Sequence, residues 1–274
     1  MNENMLFTVA PNGARLTKKD HPALPISPQE LSYCAAQCLE AGAGMIHLHV
    51  RDHLDKHVLD AGLYRDAIEA IKQDLGNRIV VQITTEAVGV YQADEQMAVV
   101  RAVNPEAVSL GLRELMPENG DEKAFAAFCE WMSTERIWPQ FILYDAYDMR
   151  RLIDLQARGL IPFDKLAVLF VLGRYGKQQA NPKELLSFLS VYEEGIDWDW
   201  SVCAFGDREN ACISAAACLG GHGRIGYENN RKLADGTISK DNAELIDQAV
   251  YTAKLIGRKP MNAEEVRARY GLRQ

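Results

Sequence analysis

Eight short apolar segments, each followed by a helical pattern, alternate along the 274 residues and predict a (β/α)8 barrel. No linker, repeat or low-complexity tract interrupts them, so a single domain is expected over residues 1–274. A doubly wound open sheet with extra elements is the competing architecture.

The first strand is expected at 5–10 (MLFTVA). A helix follows at 28–41 with a clear start: Ser27 as cap, Pro28 at the first helical position and Glu30 completing a capping box. Gly42 fits its end. The second strand, 44–50 (GMIHLHV), precedes a helix at 60–75, and the third, 79–84 (IVVQIT), one at 94–103. The fourth strand is 107–111 (AVSLG) with a helix at 121–132, and the fifth 138–144 (WPQFILY) with one at 146–158. The sixth, 166–172 (LAVLFVL), leads to 182–194, and the seventh, 198–204 (WDWSVCA), to 207–219. The eighth, 222–227 (HGRIGY), is followed by 240–256, and a short C-terminal helical extension occupies 259–274.

The formal charge is −8 with a pI near 5.3, which argues against nucleic acid or an anionic membrane as the main partner. No apolar run reaches the ~20 residues of a membrane helix. The first ten residues lack the basic and long apolar regions of a secretory signal. The six cysteines form no CxxC pair and fit small buried residues in a reducing cytosol, so a cytoplasmic setting is expected.

In a barrel of this kind, functional groups gather at the C-terminal ends of the strands. There the second strand carries HLHVRD, in which His47 and His49 are two apart and share one face. Two neutral imidazoles converging in this way make half a metal site. Strand eight neighbours strand one, which neighbours strand two, so Glu228 in GGHGRIGYENN can lean toward both histidines. Two His plus one Glu, with a position left open, is a catalytic zinc set; manganese or iron also suits these ligands. His53 and His57 lie beyond the strand and read as loop or surface residues.

With these motifs in hand, the chain resembles the β-keto acid cleavage enzymes, the family of 3-keto-5-aminohexanoate cleavage enzyme. TVAPNGA, HPALPISPQE, HLHVRD, VLG at 171–173, GGHGRIGYEN and IGRKPMNAEEVRARYGL carry the resemblance over nearly the whole chain. It implies a (β/α)8 barrel, one divalent metal (usually zinc) and acetyl-CoA as cosubstrate. It further implies conversion of a β-keto acid to acetoacetate plus the CoA thioester of the remaining fragment, by a homo-oligomer (dimer or tetramer). By motif, His47, His49 and Glu228 correspond to the metal ligands. Arg224 corresponds to an arginine that holds the substrate carboxylate or positions the base, a role suited to a fixed bidentate cation. The catalytic hydroxyl after strand three falls at Thr84 or Thr85, and Asn12 and Ser109 occupy substrate-facing positions. No phosphate-binding fingerprint is present; Arg174 and Lys177 after strand six are the candidate contacts for CoA.

Three positions depart from the family pattern. Asn229 stands where an aspartate commonly serves as base, and an amide accepts no proton at neutral pH. Glu86 in TTEA and Arg113 with Glu114 in RELMP place charge where the family is more neutral. Glu86 or Glu114 then serves as base or contacts a different substrate, or is simply a solvated loop charge. A metal-binding barrel without this reaction and a CoA-independent metal-dependent lyase or hydrolase are the other two functional readings.

Overall fold

The structure, a computed structural model, describes residues 4–176, 178–192 and 196–273. Eight parallel strands close into a barrel: β1 (Phe7–Val9), β2 (Met45–Leu48), β3 (Val80–Thr84), β4 (Ala107–Gly111), β5 (Trp138–Leu143), β6 (Ala167–Leu172), β7 (Asp199–Ala204) and β8 (His222–Ile225). Strands adjacent in sequence are adjacent in the barrel, and β8 closes onto β1 with Thr8 opposite Arg224. The expected (β/α)8 architecture is therefore the observed one.

The pleat sorts the side chains into two sets. Phe7, Ile46, Val81, Val108, Phe141, Val168 and Val202 face outward into the main core against the helices. Their neighbours face inward in layers. At the N-terminal end Leu6, Met45, Val80, Ala107, Trp138 and Ala167 form an apolar plug. Two residues further along, the interior turns polar with His47, Gln82, Ser109 and Gln140. The next turn of the pleat opens onto a cavity.

The C-terminal extension seals the apolar end. Its helix, Ala263–Tyr270, is capped by Asn262. Met261 and Val266 pack under the barrel, and Tyr270 stacks on Trp138 with ring centroids 4.1 Å apart. Arg269 grips Asp199 at 2.6 and 2.7 Å, and Arg267 reaches Glu106 at 2.9 Å.

Two expected elements differ. The run 44–50 is not one strand: β2 stops at Leu48, and Val50–Arg51 pairs antiparallel with His57–Val58. The break follows from Arg51, whose buried guanidinium donates to the carbonyls of Asn12, Gly13, Leu16 and Asp55 and draws the chain off the barrel. The expected helix 182–194 is a 3-10 turn, Pro182–Glu184, running into a short helix, Leu185–Leu189; residues 193 and 194 lie outside the described residues. Ser187 and Ser190 bond back to nearby carbonyls, which competes with helix continuation. Among the described residues no helix is long and apolar enough to cross a membrane.

Candidate active site

A cavity of about 520 Å³ opens at the C-terminal ends of the strands. His47 points into it from β2, and His49, just past the strand, points the same way. Glu228 arrives from the loop after β8, anchored by its N–H to the Ala10 carbonyl at 3.1 Å. This crossing requires a glycine at position 13. Gly13 has φ +58, and a Cβ there would lie 2.6 Å from Glu228 Cγ.

The three side chains meet in a triangle. His47 Nε2 and His49 Nε2 are 3.3 Å apart, and Glu228 Oε2 lies 3.4 and 3.2 Å from them. Edges of that length belong to a tetrahedron whose centre is about 2.0 Å from each corner, the usual zinc bond length to nitrogen or oxygen. Glu228 Oε2 is buried and accepts no hydrogen bond, an orphaned oxygen that a cation would satisfy. The donor set fits a divalent ion with one position left for substrate. It is also the one such cluster among the described residues.

Arg224 holds the carboxylate from behind. Its guanidinium donates to Glu228 Oε1 at 2.8 Å and to His47 Nε2 at 3.1 Å. Burial alone would raise the Glu228 carboxyl, but the Arg224 guanidinium holds it well below the ordinary carboxylate range. Burial pushes His49 down to about 3 against the pull of Glu228, and lowers His47 as well. The triad thus consists of two neutral imidazoles and one carboxylate, the protonation states a metal needs.

The other candidates separate into those at the cavity and those elsewhere. Thr84 lines it, whereas the Thr85 hydroxyl is buried without a partner and is not part of the wall. Glu86 and Glu114 line one side. Glu86 reaches within 3.8 Å of His49 Nδ1, and its carboxyl is raised to about 7 by burial and by the charges of Glu228 and Glu114. Glu114, also raised by burial, accepts from the Ala87 N–H at 3.0 Å. Asn12 lines the cavity, but its amide bonds to backbone, clamping His49 through N–H and C=O at 3.3 and 3.0 Å and the Pro25 carbonyl at 3.1 Å. Ser109 sits in the polar interior layer below, its hydroxyl unpartnered.

Arg113 is placed differently from the expected substrate contact: it pairs with Asp145 and with buried Asp148 and does not line the cavity. Asp145 caps the N-terminus of the helix Ala146–Ala157, and the Asp148 carboxylate in its first turn accepts from the Tyr144 N–H. Asn229 also stands outside this cavity. It lines an adjoining one of about 490 Å³ together with Arg174 and Arg231, with both polar side-chain atoms unpartnered. Arg174 lines both cavities; it donates to the carbonyls of Val171, Gly173 and Tyr144 and lies 5.2 Å over the Tyr144 ring. Lys177 lies outside the described residues.

His57 corrects the surface reading. It is buried beside His49, with its Nδ1 3.3 Å from His49 Nδ1 and its Nε2 2.9 Å from the Glu86 carbonyl. Gln82, which sequence reasoning passed over, contacts His47 Nδ1 at 2.8 Å. The signal for it was a glutamine inside the apolar run VVQIT, two residues from Thr84 on the same face.

The loop carrying Glu228 rests on a further buried acid. Glu209 accepts from the Gly226 N–H and the Asn230 amide, both at 3.2 Å, and burial pushes it up to about 8. The fold therefore favours its protonated form. That contribution is fully present below the unfolded value of 4.5 and is lost as pH rises through about 8. Thermal unfolding should show it: the stability difference between wild type and Glu209→Gln shifts toward the variant by up to about 1.4 kcal/mol per pH unit across this window. A pH-independent difference would show that Glu209 does not titrate there.

With the geometry established, comparison with known proteins adds an independent line. A family model described as beta-keto acid cleavage enzyme matches residues 4–272. The 3-keto-5-aminohexanoate cleavage enzyme of Fusobacterium nucleatum is 29% identical over 278 residues, covering 97% of each chain. The 3-oxoadipate:acetyl-CoA acetyltransferase of Cupriavidus necator is 24% identical, covering 99% of this chain and 96% of its own. Among solved structures, the ternary complex of ObcA with a C4-CoA adduct and oxalate superposes with a TM-score of 0.75 at 14% identity. That match covers 92% of this chain and 68% of the other and shows a common fold. Since the family model spans the barrel, the triad and the C-terminal seal together, the chain belongs to the β-keto acid cleavage enzyme family.

Proposed function

We propose that this protein condenses a β-keto acid with acetyl-CoA and cleaves the product to acetoacetate and a new acyl-CoA, using one divalent ion held by His47, His49 and Glu228. The observation that carries the reading is the triangle of two imidazole nitrogens and a carboxylate oxygen on the floor of a closed-barrel cavity. Relatives named for acetyl-CoA-dependent transfer from keto acids support the cosubstrate. A divalent ion there supplies Lewis-acid polarisation of the substrate's ketone and carboxylate oxygens, which makes C2 acidic.

The chain's own groups supply the rest. Glu86, on the cavity wall beside His49, takes the C2 proton. The carbanion attacks the thioester carbonyl, forming a C–C bond and releasing CoA thiolate. The thiolate adds to the substrate's original ketone; the bond from that carbon to C2 breaks, and C2 regains a proton from Glu86. Arg224 keeps Glu228 charged and oriented throughout. Thr84 contributes a hydroxyl to the cavity wall, and Glu114 and the aromatic face of Tyr144 shape the side-chain end. Arg174, shared by the two cavities, is the CoA contact of this reading.

The reading further takes zinc as the ion and a homo-oligomer in the cytoplasm as the working form; six free cysteines, five of them buried, suit a reducing compartment. The test supplies [13C]acetyl-CoA and a panel of short β-keto acids, with products read by mass spectrometry. Labelled acetoacetate together with an unlabelled acyl-CoA is expected. Release of free CoA without either product refutes the transfer.

A further inference from the structure

Two hydrogen-bond chains run from fixed ends into the triad, and their direction is set by groups that can play only one part. Arg224 offers only N–H donors, and one of them lies 3.1 Å from His47 Nε2. That nitrogen must present its lone pair. A neutral imidazole has one N–H, so His47 carries its proton on Nδ1 and donates it to Gln82 Oε1 at 2.8 Å. Gln82 is thereby oriented. Its amide nitrogen faces Gln140 Oε1 at 3.3 Å, and the Gln140 nitrogen faces Ser201 Oγ at the same distance. All four side chains are buried in the barrel interior.

The second chain starts from the Glu86 backbone carbonyl, which can only accept. His57 must donate to it from Nε2, at 2.9 Å, leaving a lone pair on its Nδ1. The neighbour 3.3 Å from that lone pair is His49 Nδ1, which must therefore carry the hydrogen. His49 Nε2 is then unprotonated and faces His47 Nε2 and Glu228 Oε2. Three lone-pair atoms thus converge, and the one N–H directed at them, from Arg224 to His47 Nε2, is the donor a metal ion would displace.

We propose that His57 and the Gln82–Gln140–Ser201 relay are positioning residues that lock His47 and His49 in the Nδ1–H tautomer, so that both Nε2 atoms are committed to the metal before it binds. The proposal rests on the metal reading of the triad. Donation from Nδ1 to an outer acceptor also raises ligand basicity, and loss of such a partner typically weakens metal binding by 10- to 100-fold.

The direct test is 15N spectroscopy of the full-length protein labelled in histidine, with and without added zinc. A protonated Nδ1 on His47 and on His49, and a protonated Nε2 on His57, are expected in both states. Protonated Nε2 on either ligand in the zinc-free state, or zinc bound through Nδ1, overturns the proposal. Failure to take up zinc at all would instead remove the metal reading while leaving the tautomers readable. In a chelator competition, Gln82→Met and His57→Leu should raise the zinc dissociation constant by about 10- to 100-fold. Gln82→Glu and His57→Gln, which keep an acceptor in place, should stay close to wild type. Wild-type zinc affinity in both Gln82→Met and His57→Leu overturns the proposal. If either fails to fold, the spectrum of the wild-type protein still decides.

Discussion

Alanine at His49 or at His47 is expected to empty the metal site and reduce turnover by about 10³-fold or more, because Lewis-acid stabilisation is worth several kcal/mol and each 1.4 kcal/mol is a factor of ten. Both rings are buried at the floor of the cavity, and each supplies one corner of the triangle closed by Glu228. Two ligands remaining out of three leave too few bonds to retain the ion through dialysis. Elemental analysis of the purified variants measures occupancy, and the acyl-CoA assay measures turnover. Full occupancy in both variants would sink the assignment. The histidines are the cleaner targets. Removing Glu228 also strands the buried Arg224 charge, and breaking a buried ion pair on one side costs about 3–5 kcal/mol of stability.

A second large effect is expected at Glu86. Glu86→Gln should lower turnover by about 10²- to 10⁴-fold, the usual worth of a general base, while metal content stays unchanged. The carboxyl lines the cavity close to His49, and its raised value of about 7 is brought down when a divalent cation sits nearby, leaving an ionised acceptor at neutral pH. Asn229 lines the neighbouring cavity and cannot take this part. An unchanged rate in Glu86→Gln would make Glu86 a spectator. A large gain from Asn229→Asp alone would show that the wild-type protein lacks an efficient base.

The strands were legible because eight short, mostly apolar runs each precede a helical pattern, the repeat unit of a (β/α)8 barrel. The HxH pair was legible because a period of two puts both rings on one face, and Glu228 because closure brings β8 within one strand of β2. What stayed hidden depends on partners distant in sequence. Nothing in RELMP announces that Arg113 is claimed by Asp145 and Asp148, some 30 residues on. Nor does TVAPNGA show that the Asn12 amide would clamp the backbone of His49. His57 was masked by its charged neighbours in HLDKHV, since only the hairpin formed by Arg51 folds it back under His49. The C-terminal segment read as an appendage because its helix carries Trp138 and Asp199 contacts that local pattern cannot express.

That seal has a consequence for how the protein is made. Leu6, Met45, Val80, Ala107 and Trp138 emerge from the ribosome long before Met261, Val266 and Tyr270, which cover them. The first strand likewise waits for residues 223–225 to close the ring. At about 5–20 residues per second, a nascent chain exposes this apolar ring and an open sheet edge for roughly ten seconds or more. Incomplete barrels in that interval have both an unpaired β1 and an uncovered greasy floor, the two features that invite self-association. Self-association of the unfinished barrel, before its C-terminal helix covers the floor, is therefore a hazard built into the order in which the chain is made.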